Sequence, residues 1–326
     1  MIKNRFLIAI AFVMLIFTSC EKKLQFDEDG VLVPLTVMED PDISSITING
    51  VKLHSETFGN PSDPMIVILH GGPGGDYRSM LNFKALTSDD YFVVFYDQMG
   101  SGLSQRLNKD HYTKMQQFID ELDGVIEHYR QNDTQKIVLA GHSWGAMLAT
   151  AYINQKPNEI DAVILAEPGG FTWPQTEIYI KKAWKLELFT ELTNDFVYQD
   201  QFITGSSHNN LDYKMALITA GIGATGDIAS PAYWRYGAIC NAASVNLANN
   251  NPEEMNFTTN LSNYTTKVLF AYSELNTAYG QEHAEAVSAP LPNVQLVKIN
   301  ACGHEIPQFG WGQFYPLIIT YLNETL

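Results

Sequence analysis

The stretch Gly141-His142-Ser143-Trp144-Gly145 limits the folds open to this chain more than any other. An apolar run at residues 136–140 leads into it, and a helix-forming run at 146–152 leaves it. Strand, G-x-S-x-G, helix is the setting of a nucleophile elbow, a sharp turn that holds a serine hydroxyl above a sheet. The two glycines let backbones approach where a side chain would clash, so the turn can carry strain. The start of the next helix sets N–H groups and a positive dipole end beside the hydroxyl. Ser143 is therefore read as a nucleophile. The competing reading is a tight strand–helix turn with a surface serine.

A serine nucleophile needs a base and donors for the developing oxyanion. The loop His70-Gly71-Gly72-Pro73-Gly74-Gly75 ends an apolar run that begins at Met65. With such an elbow, one donor is the N–H after the nucleophile and the other comes from an early loop of this kind. Those are Trp144 and Gly72. Reading the loop as a phosphate cradle fails, because no Lys-Ser/Thr follows and neither G-x-x-x-x-G-K nor G-x-G-x-x-G spacing is present. His304 is the expected base: it lies in Ala301-Cys302-Gly303-His304, past the last apolar run, where the order Ser, acid, His places it. His70 and His142 lie near the site in structural positions. His54, His111, His128, His208 and His283 belong to no motif and are expected at the surface.

Residues 46–54 suggest a hairpin turning at Asn49-Gly50. Continuous apolar runs at 65–70, 91–96, 136–140, 162–166, 268–272 and 294–299 read as strands buried on both faces. Between 115 and 130, Phe118, Ile119, Leu122, Val125, Ile126 and Tyr129 recur near the helical period. Strands alternating with helices predict an α/β fold with a mostly parallel, doubly wound sheet. The alternation stops between about 169 and 257, a region rich in aromatic residues including Phe171, Trp173, Tyr179, Trp184, Phe189, Phe196, Tyr198, Tyr233, Trp234 and Tyr236. This predicts a helical cap over the carboxyl edge of the sheet, where open α/β folds bind ligands.

A hydrophobic content of 45% and a charged content of 17% over 326 residues describe a globular chain with a sizeable core. The net charge of −16 argues against nucleic acid and anionic membrane surfaces as partners. At the N-terminus, Lys3 and Arg5 precede an apolar run at 6–17, too short for a comfortable span, then Thr18-Ser19-Cys20. The pattern resembles a bacterial lipoprotein signal, which implies an exported, lipid-anchored envelope protein with Cys20 as the lipidated residue. Ordinary secretion and an uncleaved anchor are the alternatives. The polar, acidic segment from 20 to 44 reads as a tether. The remaining Cys240 and Cys302 are expected as buried thiols, and no Cys/His spacing suggests a metal.

Together His70-Gly71-Gly72-Pro73-Gly74-Gly75, Asp97-Gln98-Met99-Gly100-Ser101-Gly102-Leu103-Ser104 and Gly141-His142-Ser143-Trp144-Gly145 resemble the proline iminopeptidase family of α/β-hydrolases. The likeness is good over 45–168 and moderate over the last sixty or so residues. It implies an α/β-hydrolase core at 45–168 and 258–326 and a cap at 169–257. It also implies hydrolysis of an amide or ester of a small molecule or short peptide through an acyl-serine, with no cofactor. Asp97 and Gln98 are read as loop-ordering residues. Two positions depart from the family. Its acid falls at Asn276, and its amine-holding cap Glu falls at Gly237 in Trp234-Arg235-Tyr236-Gly237. Glu167, following the run at 162–166, is therefore expected to be the triad acid. Glu274 and Asn276 are the alternatives, and a capping carboxylate is the bland reading of Glu167. An aspartate, as in dehalogenases and epoxide hydrolases, is absent at position 143. Three functions stay open: an iminopeptidase-like aminopeptidase, an esterase or amidase of other small acyl compounds, and a non-catalytic binding lipoprotein.

Overall fold

The apolar runs form strands because Val, Ile and Phe fill both faces of a pleated surface. The computed structural model describes residues 31–183, 207–221 and 233–326. Its eight-stranded sheet has the order β1-β2-β4-β3-β5-β6-β7-β8. The strands are β1 (Ser45–Ile48), β2 (Val51–Phe58), β3 (Met65–Leu69), β4 (Phe92–Tyr96), β5 (Ile137–His142), β6 (Ala162–Ala166), β7 (Val268–Ser273) and β8 (Val294–Ile299). The β1–β2 hairpin turns at Asn49 and Gly50, both at positive φ (49° and 81°), as a tight two-residue connection requires. β2 pairs antiparallel with β4, and every pairing from β4 to β8 is parallel.

Alternate residues of each central strand feed two separate cores. Val67, Leu69, Leu139, Val163, Leu165 and Phe270 face one. Ile66, Ile68, Val138, Ile164 and Leu269 face the other. On the first face lie α1 (Gln116–Tyr129), the expected amphipathic helix, and α2 (Trp144–Gln155). The chain continues through cap helices α3 (Trp173–Ala183), α4 (His208–Gly221) and α5 (Ala238–Asn250), then α6 (Gly280–Ser288), the single turn α7 (Ile306–Phe309) and α8 (Trp311–Thr325). A 3-10 segment, Tyr77–Asp89, joins α8 on the second face.

The tether expected to reach residue 44 is shorter than the sequence suggested. Val33, Thr36 and Val37 are buried, and Val37 N–H donates to the Leu103 carbonyl at 2.8 Å. Polar composition hid the few apolar side chains that dock this segment. Residues 1–19, expected as a leader, Cys20, and Trp184, Phe189, Phe196 and Tyr198, expected in the cap, lie outside the described residues. Among the described residues no helix is long and apolar enough to cross a membrane.

Candidate active site

Every residue singled out for chemistry leaves the sheet at its carboxyl edge. Ser143 follows β5 with φ 53° and ψ −118°, a strained left-handed conformation for a non-glycine residue. The flanking glycines are required by packing. A Cβ on Gly141 would strike the Gly145 carbonyl, and one on Gly145 would strike the Leu69 carbonyl. Ser143 N–H donates to the Ala166 carbonyl at 2.8 Å, so the turn is pinned to the end of β6. The serine itself is half-buried.

Glu167 follows β6, fully buried and at φ 44°. Its Oε2 accepts from His304 Nδ1 at 2.7 Å and from Asn276 Nδ2 at 2.9 Å. Its Oε1 accepts from Ser273 N–H at 2.6 Å and Ser273 Oγ at 2.5 Å. A buried carboxylate is stable only when its lone pairs find donors in this way. The bond from Nδ1 to Glu167 fixes the orientation of the His304 ring. His304 is tied to the elbow as well, since its carbonyl lies 2.8 Å from His142 Nε2. Glu274 is elsewhere: exposed, it accepts from Ala301 N–H at 2.9 Å, and that bond, with Lys298, holds its carboxyl below the usual range. Asn276 touches Glu167 rather than replacing it, and also donates to Tyr179 Oη of α3 at 3.0 Å. Tyr179 Oη lies 3.4 Å from His304 Nδ1, a cap contact that no motif signalled.

The His70–Gly75 loop lies directly over the nucleophile. A Cβ on Gly71 would sit 3.3 Å from Ser143 Cβ. Gly72 takes φ 137°, and a Cβ there would meet Gly74 N at 2.5 Å, so position 72 admits only glycine. Trp144 is the first residue of α2, where N–H groups have no intrahelical partner, and its indole donates to Gln98 Oε1 at 2.9 Å. The cap fastens this loop: Gly237 N–H donates to Gly74 O at 2.6 Å, and Asn241 Nδ2 to Pro73 O at 2.9 Å. A Cβ on Gly237 would strike the Gly100 carbonyl, so no carboxylate side chain fits where the family resemblance looked for one. The neighbouring Arg235 is buried and paired with Asp212 at 2.7 Å, which also holds Arg106 at 2.8 Å. Beside it Asp76 accepts the N–H of Arg235 at 3.0 Å, and burial together with Asp97 drives its carboxyl well above the usual range.

Asp97 and Gln98 order the loop after β4, as expected. Asp97 accepts from Tyr77 N–H and Leu103 N–H, and Gln98 donates to the His70 carbonyl. Two histidines expected at the surface are buried. His54 Nδ1 meets Asp97 at 2.8 Å, and His283 Nε2 donates to the Gly169 carbonyl at 2.8 Å. Lacking a motif did not mean lacking a partner. Burial lowers the basicity of His70 and, much more, of His142. Cys240 and Cys302 are buried thiols with no disulfide.

Residues 64–309 match the family model described as alpha/beta hydrolase fold. A proline iminopeptidase of Heyndrickxia coagulans is 33% identical over 124 residues, 38% of this chain and 42% of that protein. A proline iminopeptidase of Lactobacillus acidophilus is 37% identical over 124 residues, 36% of this chain and 40% of that protein. The chain thus spans less than half the length of these curated relatives. The crystal structure of proline iminopeptidase from Mycobacterium smegmatis resembles it with a TM-score of 0.57 at 18% identity, covering 86% of this chain and 98% of that one. At that identity the likeness is one of fold.

Proposed function

We propose, from the premise that this chain belongs to the alpha/beta hydrolase family, that it is a serine hydrolase of small amides or esters and acts as an iminopeptidase-like aminopeptidase. The observation that carries the reading is the 2.7 Å contact between His304 Nδ1 and the buried Glu167, at the sheet edge that also holds the strained Ser143. Ser143 Oγ attacks the carbonyl carbon while His304 Nε2 takes its proton, and the same proton then goes to the leaving amine. Glu167 fixes the imidazole and stabilises the imidazolium that forms. The N–H groups of Trp144 and Gly72 receive the oxyanion. A water then repeats the sequence to release the acyl group. The relatives named proline iminopeptidase support the choice of substrate.

A second reading, an esterase or amidase of uncharged acyl compounds, is favoured by Gly237, where no carboxylate can stand. The two separate on turnover of a free-amine prolyl anilide, its N-acetyl form and a short acyl ester. The aminopeptidase reading expects the free amine to be preferred, and indifference to acetylation would remove it. Export and lipid attachment at Cys20 belong to the proposal and rest on the pattern of residues 3–20. Labelling with a radioactive fatty acid, lost in Cys20→Ala, checks that part.

A further inference from the structure

Arg235 is bonded at its backbone to one segment and at its side chain to another. Its backbone N–H donates to Asp76 Oδ2 at 3.0 Å, and the N–H of Trp234 reaches the same oxygen. Asp76 directly follows the His70–Gly75 loop, which holds the proposed oxyanion donor Gly72. In that loop Pro73 O accepts from Tyr236 Oη at 3.1 Å and Asn241 Nδ2 at 2.9 Å, and Gly74 O accepts from Gly237 N–H at 2.6 Å. Residues 234–241 thus grip three of the four residues after Gly72.

The Arg235 guanidinium meets the N-terminal segment. Its Nη1 donates to Pro34 O at 2.8 Å and to Glu39 Oε2 at 3.2 Å, its Nε to Asp212 at 2.7 Å and its Nη2 to Asn209 Oδ1 at 2.7 Å. Glu39 is held in place by the N–H and hydroxyl of Thr36, at 2.8 and 2.9 Å. Val33, Thr36 and Val37 are buried, so the segment is docked by more than this arginine. A second line of bonds leaves the same segment. Val37 N–H donates to Leu103 O at 2.8 Å, Leu103 N–H to Asp97 Oδ2 at 2.8 Å, and Tyr77 N–H to Asp97 Oδ1 at 2.9 Å. The two lines end on neighbouring residues, Asp76 and Tyr77.

We propose that Arg235 is a positioning residue of the serine-hydrolase reaction, bracing the oxyanion loop against residues 33–39. A buried guanidinium is stable only while its N–H groups are met. If the segment leaves, Pro34 O and Glu39 leave with it, and Arg235 must move to regain partners. Its backbone N–H moves too, and with it the Asp76 end of the loop that presents Gly72. An oxyanion donor acts at about 2.7–3.1 Å, so a small displacement weakens its hold on the transition state. A lysine has three donors on one nitrogen and cannot span Asp212, Asn209 and Pro34 as the planar fork does. The inference rests on the serine-hydrolase reading and adds to it a dependence of oxyanion binding on the N-terminal segment.

The test uses the full-length protein, a short acyl ester as substrate and n-butylboronic acid as a tetrahedral analogue that Ser143 and the oxyanion donors bind together. Two variants break the brace at its two ends: Arg235→Lys, and Val33→Ser combined with Val37→Ser. In each, kcat and boronate affinity are expected to fall together, about tenfold, while KM changes less than about twofold, because the oxyanion donors act on the transition state more than on the bound ester. Active protein is counted by titration with a fluorophosphonate, so unfolded chains do not enter. A role in stability alone lowers Tm and leaves kcat and boronate affinity per titrated site unchanged, and that result overturns the proposal. So does a loss in Arg235→Lys that the double variant does not share, since the segment would then play no part. If Arg235→Lys fails to fold, the double variant and Glu39→Ala are read by the same criterion. A wild-type protein that neither binds the boronate nor labels with the fluorophosphonate sinks the serine-hydrolase reading instead, so the two failures are distinct.

Discussion

The sheet edge that carries Ser143, Glu167 and His304 is held differently from the segment 233–241 that contacts the His70–Gly75 loop. At the edge Ser143 and Glu167 leave buried parallel strands, and strand register fixes their place: Gly141 pairs with Leu165, and Ala166 with Ala271, while His304 stands in the loop after β8, held by Glu167 and His142. Beside it, residues 233–241 are held by side-chain and loop contacts: the Trp234 and Arg235 N–H groups donate to Asp76, Gly237 N–H to Gly74, and Tyr236 Oη and Asn241 to Pro73, and the buried Arg235 pairs with Asp212. Moving Ser143 or Glu167 would mean slipping a strand, which turns every side chain to the other face. Moving residues 233–241 would mean exchanging side-chain and loop contacts, the buried Arg235–Asp212 pair among them. On the proposed function, the reacting groups stand on strand register and its neighbouring loops, and the segment that would meet the substrate is held by side-chain and loop contacts.

The largest expected effects test the rigid edge. Ser143→Ala is expected to lower turnover about 10⁴-fold or more. Glu167→Gln keeps the shape but not the charge, and is expected to lower kcat about 10³- to 10⁴-fold with little change in KM. Asn276→Ala removes one of the donors to Glu167 and is expected to cost about tenfold, through position alone. If Asn276→Ala costs more than Glu167→Gln in steady-state kinetics, the acid has been misassigned.

Smaller effects probe the loops beneath the cap. Gly237→Ala forces a methyl against the Gly100 carbonyl and is expected to cost about 1–3 kcal/mol in thermal unfolding. Gly312→Ala, on α8 with nothing within 4 Å, is the control and is expected to stabilise by about 0.5–1 kcal/mol. Glu121 on α1 accepts from Met99 N–H at 3.0 Å, and burial pushes its carboxyl up to about 8 from an ordinary 4.5. Between those values the folded protein binds a proton that the unfolded chain releases, so stability falls as pH rises. Glu121→Gln escapes this loss. Its Tm gain over wild type is expected to be much larger at pH 8 than near pH 5. An equal gain at both pH values would mean that packing, not ionisation, is responsible.

Much of the edge was legible in the sequence because its signals are local. The elbow glycines, the apolar runs and the loop after β3 each sit in one short stretch, and strand order brings them together. Glu167 could be read from its position after β6 once Asn276 stood where an acid was expected. What stayed hidden depended on pairing across distance. The segment from Leu32 onward looked polar, yet Val33 and Val37 dock it. His54 lacked a motif because its partner, Asp97, is 43 residues away. Tyr179 reaches the Glu167–His304 pair from a cap whose aromatic residues gave no sign of which one points inward.

The central claim is that Ser143 is a nucleophile driven by His304 and Glu167. The most direct measurement is the mass of the peptide containing residue 143 after exposure of the protein to a fluorophosphonate. One adduct on Ser143, formed far more slowly in Glu167→Gln and His304→Ala, is the expected result. An unmodified Ser143, or labelling at the same rate in all three proteins, would contradict the account.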